Sequence, residues 1–288
     1  LVDDIDASGT SSWNSGTGFD PIGDGSTHFT GSLDGNGYVI YDLSIDRSTD
    51  DVGLIGYLHG GTIENVAVEN ADITGNLDVG VLVGYNYNGQ ISQSSASGVA
   101  SSYVSSGNVA RIGGLVGYND GSSASILESY ANVTVSTDGT NAGGLVGWNP
   151  NDATIEKSYA IGDVTGHDTV GGLAGSSSSG YVIESYATGQ VSATADSPSN
   201  VGGLVGSANS ETDSYWDKES TGQSTSPGDG VGLTPATMTG DSAIENMDGF
   251  DFTNTWGVGT GYPYLQYNTF EAGDGSESNP YQISNVDQ

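Results

Sequence analysis

The sequence predicts an all-β fold: a parallel β-helix solenoid with three short strands per coil of about 30 residues and a cap at each end. Three observations carry this. A glycine-rich, nearly inert phrase recurs six times, as VGLIG ending at Gly56, VGVLVG at Gly84, IGGLVG at Gly117, AGGLVG at Gly147, VGGLAG at Gly175 and VGGLVG at Gly206. A second phrase follows each copy: TIENVAV, QISQSSA, ILESYA, IEKSYA, IESYA and TDSYWD. Gly, Asn, Asp and Ser separate these segments, and none has the length or period of an amphipathic helix.

Taken in chain order, residues 1–50 read as an N-terminal cap and lead-in coils. Residues 51–215 hold the repeats, spaced 28, 33, 30, 28 and 31 residues apart. Each coil ends in a weaker third strand such as ADITG, ANVTVS, GDVTG or GQVSA. A propeller blade needs four strands and about 40 residues, more than this period supplies. One coil cannot bury its own apolar residues, whereas coils stacked about 4.8 Å apart do so together. The phrase repeats because its Leu fills a thin core and its glycines permit corners and close backbone approach. Between Ser26 and Ser226 the only prolines are Pro150 and Pro198, both at loop positions where no ladder donor is lost. Residues 216–267 read as a C-terminal capping segment with one short helix, begun by Thr234 and Pro235 as N-cap and first helical residue. Residues 268–288 read as a linker or the start of a following module.

GGLVG followed by SYA and GxV resembles the GLUG repeat of large secreted and surface proteins. The resemblance spans 29–267: FTGSLDGNGYVIYDLSI (29–45) is similar to the lead-in coil, and 213–240 with TWGVGTGYPYLQ (255–266) to the closing segment. It implies a right-handed parallel β-helix with extracellular, adhesin-like or cell-surface roles. GDGSESNPYQISNVDQ (273–288) resembles the opening of another such module. From this we expect tandem modules or subunits joined head to tail, with residues 270–288 pairing with the N-terminal coil of the next. A chain that begins at Leu1 without Met is expected to be a mature or excised piece.

Thirty-six acids, 26 of them Asp, face four bases, for a net charge of −32. Nucleic acid and anionic membrane surfaces, which need basic patches, are excluded as expected partners. No run approaches the roughly 20 apolar residues of a membrane span. Acids spread along the whole chain with almost no lysine read as a surface adapted to high salt, where the Debye length falls to roughly 3 Å. There is no cysteine, hence no disulfide and no thiolate metal site.

Candidate sites are few. Tyr57, Tyr85, Tyr118 and Trp148 follow the repeated Gly, and Tyr130, Tyr159, Tyr186 and Tyr215 centre the second phrase. Each set is expected to form a ladder, read either as a platform for surface glycans or as stacking between coils. Asn86, Asn119 and Asn149 are expected to be stacked turn residues with satisfied amides. No cofactor is expected; calcium at Asp3, Asp4 and Asp6 is the metal candidate, although no calcium-loop motif is present. Asn132-Val133-Thr134 is a glycosylation sequon. Lys157, aligned with Glu128, Glu184 and Asp213, is expected to sit between acids of adjacent coils. No nucleophile, zinc or phosphate motif is present, His28, His59 and His167 are far apart in sequence, and no enzyme is expected. The catalytic alternative is a polysaccharide-cleaving site, for which Asp50 and Asp51 with Asp78 form a candidate carboxylate group.

Overall fold

The computed structural model describes residues 1–208 and 210–268. It divides the chain into two compact units, one of Leu1–Leu233 and one starting at Thr234. Among the described residues, the first unit is a parallel β-solenoid whose four sheets hold twelve, seven, six and five strands. The spacing read from the sequence is the physical register. Ile55, Val83, Val116, Val146, Ala174 and Val205 pair in one column. The phrase leucines Leu82, Leu115, Leu145, Leu173 and Leu204 are fully buried. Each such burial is worth about 1.5–3 kcal/mol.

The three expected segments divide differently, because each phrase crosses a corner. In one coil, AGGLVG places Thr140–Gly143 on the five-stranded sheet and Val146–Trp148 on the six-stranded one. TIEKSYA places Thr154–Glu156 on the seven-stranded sheet and Tyr159–Ala160 on the twelve-stranded one, with the corner at Lys157 and Ser158. The glycine corner is dictated by crowding. A Cβ on Gly114 would lie 2.2 Å from the Gly144 carbonyl oxygen, one on Gly144 2.2 Å from that of Gly172, and one on Gly172 2.2 Å from that of Gly203.

The second corner is dictated by backbone turn and by serine. Asn65, Gln93, Glu128, Lys157, Glu184 and Asp213 all adopt left-handed φ between 45° and 54°. The next residue is a buried Ser in five coils, namely Ser94, Ser129, Ser158, Ser185 and Ser214. Each hydroxyl donates to the carbonyl two residues back, at 2.8–2.9 Å. It also accepts the backbone N–H of the preceding coil, at 3.1–3.2 Å. Lys157 bonds its own neighbour Glu156 at 2.9 Å, with Glu128 and Glu184 only adding to the field that raises its pKa.

Strand pairing extends beyond the copies of the phrase at both ends. Coils begin before residue 51: Ile5–Asp6 pairs with Val39–Tyr41, and Ser32–Asp34 with Thr62–Glu64. They continue past 215, because Tyr215–Asp217 pairs with Val231–Leu233. Trp216 lies over Gly203 and donates its indole N–H to the Gln223 carbonyl at 2.9 Å, covering the last coil. The second unit has two short helices, Pro235–Met238 and Asp241–Asn246, and an antiparallel pair, Trp256–Gly257 with Tyr264–Leu265. Thr234 caps the first helix from an extended conformation with Pro235 following, as its sequence predicts. The turn at Gly240, with φ 57°, separates the two helices.

Candidate functional site

The outward face of the six-stranded sheet gathers four of the eight aromatic residues singled out in the sequence. Tyr57, Tyr85, Tyr118 and Trp148 pair directly across adjacent strands. Their ring centroids are 4.5, 4.6 and 5.1 Å apart in turn. Two residues that sequence reasoning left scattered join them. His28 stacks on Tyr57 at 4.2 Å and lies 5.2 Å from His59, whose ring meets Tyr87 edge-on at 5.1 Å. The signal was faint because His28 lies in a lead-in coil without the phrase. Two isolated bridges, Ile22–Ile55 and Phe29–Leu58, put that segment in register.

Beside this column, across the glycine corner, lies a charged one. Asp78 pairs with Arg111 in the strand register, and Asp51 precedes the Val52–Val79 bridge. Arg111 holds both oxygens of Asp78, one through Nη2 at 2.7 Å and one through Nε. Its guanidinium sits 4.1 Å from the centre of the Tyr118 ring. Burial pushes the Asp78 carboxyl up to about 8; Arg111 pulls it down, and Asp51, which hydrogen-bonds it, adds to the rise. Burial likewise raises Asp51. On the other flank Tyr85 donates to Asp120 at 2.7 Å, and Asn151 donates to the second oxygen at 2.7 Å. Burial and Asp120 push the Tyr118 hydroxyl up to about 12.

This arrangement suits packing better than catalysis. Asp51 and Asp78 are in hydrogen-bond contact, closer than the roughly 5–9.5 Å separations that glycoside cleavage requires. Asp78 is only 2% exposed. Asp50 is exposed and turns instead to Asn76, which donates to it at 2.7 Å.

Ring geometry also decides what the columns offer. Tyr118 and Trp148 overlap at 12°, so most of their area is spent on each other. Trp148 ends its column: its next partner is Ser176, then Ser207, so among the described residues no aromatic residue continues it in register. Tyr130, Tyr159 and Tyr186 stack at 4.9 and 5.0 Å with 3° between planes. Tyr159, Tyr186 and Tyr215 are buried and Tyr130 half-buried, so this second column is covered along most of its length.

Asn86, Asn119 and Asn149 form a fully buried amide ladder, Asn86 donating to Asn119 and Asn119 to Asn149 at 2.7 Å each. Asn149 donates onward to Ser177 at 3.1 Å.

Asp3, Asp4 and Asp6 do not converge. Asp4 accepts the N–H of Val39 and Asp6 that of Ser8, each at 2.9 Å. Among the described residues no three His, Asp or Glu side chains gather where they could hold a metal ion. Asn132 is exposed on the strand Tyr130–Ser136. Residues 270–288, expected to pair with a neighbour, lie outside the described residues.

Comparison with known proteins places this geometry. Residues 75–101, 108–136 and 138–165 match the family described as the GLUG motif. Halomucin of Haloquadratum walsbyi is 41% identical over all of this chain, which spans 3% of that protein's length. A protein of Evansella cellulosilytica named as a Gly-rich membrane protein is 40% identical over 37% of this chain and 13% of its own length. A crystal structure of a Bacteroides ovatus protein, named for an immunoglobulin A1 protease, superposes with a TM-score of 0.68. It covers 93% of this chain and 85% of that one at 23% identity, a likeness of fold alone. Among the described residues no helix is long and apolar enough to cross a membrane.

Proposed function

Because the chain is a GLUG-repeat protein, we propose that it serves as a non-catalytic structural and adhesive module of an extracellular, cell-surface protein adapted to high salt, associating head to tail. The observation that carries this reading is where the polar chemistry points. The serine hydroxyls and the asparagine amides are buried, and these groups and the Asp78–Arg111 pair are spent on bonds between coils. The surface that remains belongs to a chain of net charge −32. Names of the relatives, a mucin's and a membrane protein's, agree with a surface setting, and the chain's small share of each agrees with a module. An antibody to this chain should label intact source cells. Labelling only after permeabilisation would overturn the surface assignment.

A second reading, surface-glycan binding, is favoured by the end of the aromatic column at half-buried Trp148, which Ser176 and Ser207 continue in register. Sugar titration should quench the indole fluorescence, and Trp148→Phe should abolish that change. An unchanged response in the variant would remove Trp148 from the reading, since Trp13, Trp216 and Trp256 would then carry the signal.

A further inference from the structure

Three features meet at the N-terminal end of the described solenoid. A cavity of about 260 Å³ opens there, lined by Leu1, Ile5, Trp13, Phe19, Leu33 and Leu43 among others. Trp13 at its rim is 51% exposed. Ile5–Asp6 and Ser32–Asp34 are the terminal strands of their sheets, each with a partner on one side only among the described residues. An open parallel edge above an apolar cavity is a template for strand addition.

The same chain carries a segment written in the matching code. Gln282-Ile283-Ser284 repeats Gln90-Ile91-Ser92, a strand of the very sheet that Ser32–Asp34 terminates. Ile283-Ser284-Asn285-Val286 repeats the Ile-x-Asn-Val of residues 63–66, where Ile63 and Val66 are buried and Asn65 makes the left-handed corner at φ 54°. In sequence, these five residues match a strand, a corner and the two apolar residues that a coil of this solenoid buries.

We propose that residues 282–286 of one copy add a strand to the N-terminal end of a second copy. Gln282 then pairs with Ser32, Ile283 seats on Leu33, and Val286 enters the cavity. The inference rests on the head-to-tail reading above and gives it a register. Both partners are strongly acidic, so the contact forms at molar salt, where the Debye length is about 3 Å.

The test uses the full 288-residue chain, which contains no cysteine. Ser32→Cys and Gln282→Cys are introduced together and oxidised in about 3 M salt, the regime of full screening. A reducible ladder of multimers on a denaturing gel is expected. Light scattering that shows association without such cross-links, or a disulfide confined to the monomer, would overturn the proposed register and occupant. Absence of any association in molar salt would overturn the head-to-tail reading itself. Separately, Ile283→Asp should raise the dissociation constant at least about tenfold by placing a charge on the apolar seat. An unchanged constant would count against the proposal. Neither outcome bears on whether the protein resides at the surface.

Discussion

Ser158 shows how much a single hydroxyl does in a parallel stack. Its oxygen accepts the Ser129 N–H from one coil while its proton goes to the Glu156 carbonyl in its own. Ser158→Ala leaves a buried donor without a partner, which costs about 1–3 kcal/mol. The variant should melt at a lower temperature in high salt; an equal melting temperature would mean that water replaces the hydroxyl. Glu128 makes the opposite case. Its left-handed φ of 46° is strained for a side chain of its kind, and Asn already fills the same column at Asn65. Glu128→Asn should therefore stabilise the chain by up to about 1 kcal/mol in chemical unfolding. Asp78 introduces a pH dependence. An unfolded aspartate titrates near 3.9, whereas in the fold Asp78 keeps its proton up to about 8. Between those values the folded state binds the extra proton. Stability therefore falls as pH rises through the window and levels off above it. Asp78→Asn should flatten the melting temperature's pH profile across that range, and an unchanged slope would show that Asp51 or other raised acids dominate it.

At the scale of the coil, two kinds of glycine can be separated by experiment. Gly144 has an ordinary φ but no room, its Cβ position lying 2.2 Å from the Gly172 oxygen. Gly222 has a φ of 70° and nothing within 4 Å. Gly222→Ala should cost about 1 kcal/mol, the strain of a left-handed residue. Gly144→Ala should cost more, because backbone in the next coil has to move. Equal losses would mean that the coils separate easily. The same coils show what could be read in advance. The first aromatic column and the asparagine ladder sit at a constant distance from the glycine phrase, and the second tyrosine column at a constant place in the phrase that follows it, so alignment of the two phrases aligned them. Asp51, Asp78 and Arg111 were harder to bring together. They stand immediately before the phrase and share its register, but the residue type in that column, Asp51, Asp78, Arg111, Asn141, Thr169 and Asn200, changes from coil to coil and marks no site. The serine column was visible in SYA, but not its purpose: the residue before it looked like an ordinary strand position until its φ was known.

For the whole molecule, charge sets the condition of folding. Thirty-six acids on a chain with four bases repel one another at low salt. The melting temperature should climb as salt rises from about 0.1 M, where charges interact over about 10 Å, into the molar range, where they interact over about 3 Å. A melting temperature independent of salt would remove high-salt adaptation from the proposed function. The fold class was legible at this scale because a period of about 30 residues admits few architectures. The end of the solenoid at Leu233 was not, since Val231–Leu233 carries no copy of the phrase yet still pairs with Tyr215–Asp217.

The amide ladder has a genealogical consequence. Asn86 starts the ladder by donating to the next coil, Asn119 and Asn149 each accept from the coil before and donate to the coil after, and Ser177 accepts the last donation. Such a rung is interchangeable with its neighbours. Recombination that removes residues 148–175 would join Gly147 to Ser176 and present Asn119 with Ser177 in place of Asn149. A descendant shortened by one whole coil should fold, whereas one shortened by half a coil should not. Chains of this design can gain and lose length in whole coils, by duplication and deletion, without inventing a new contact each time.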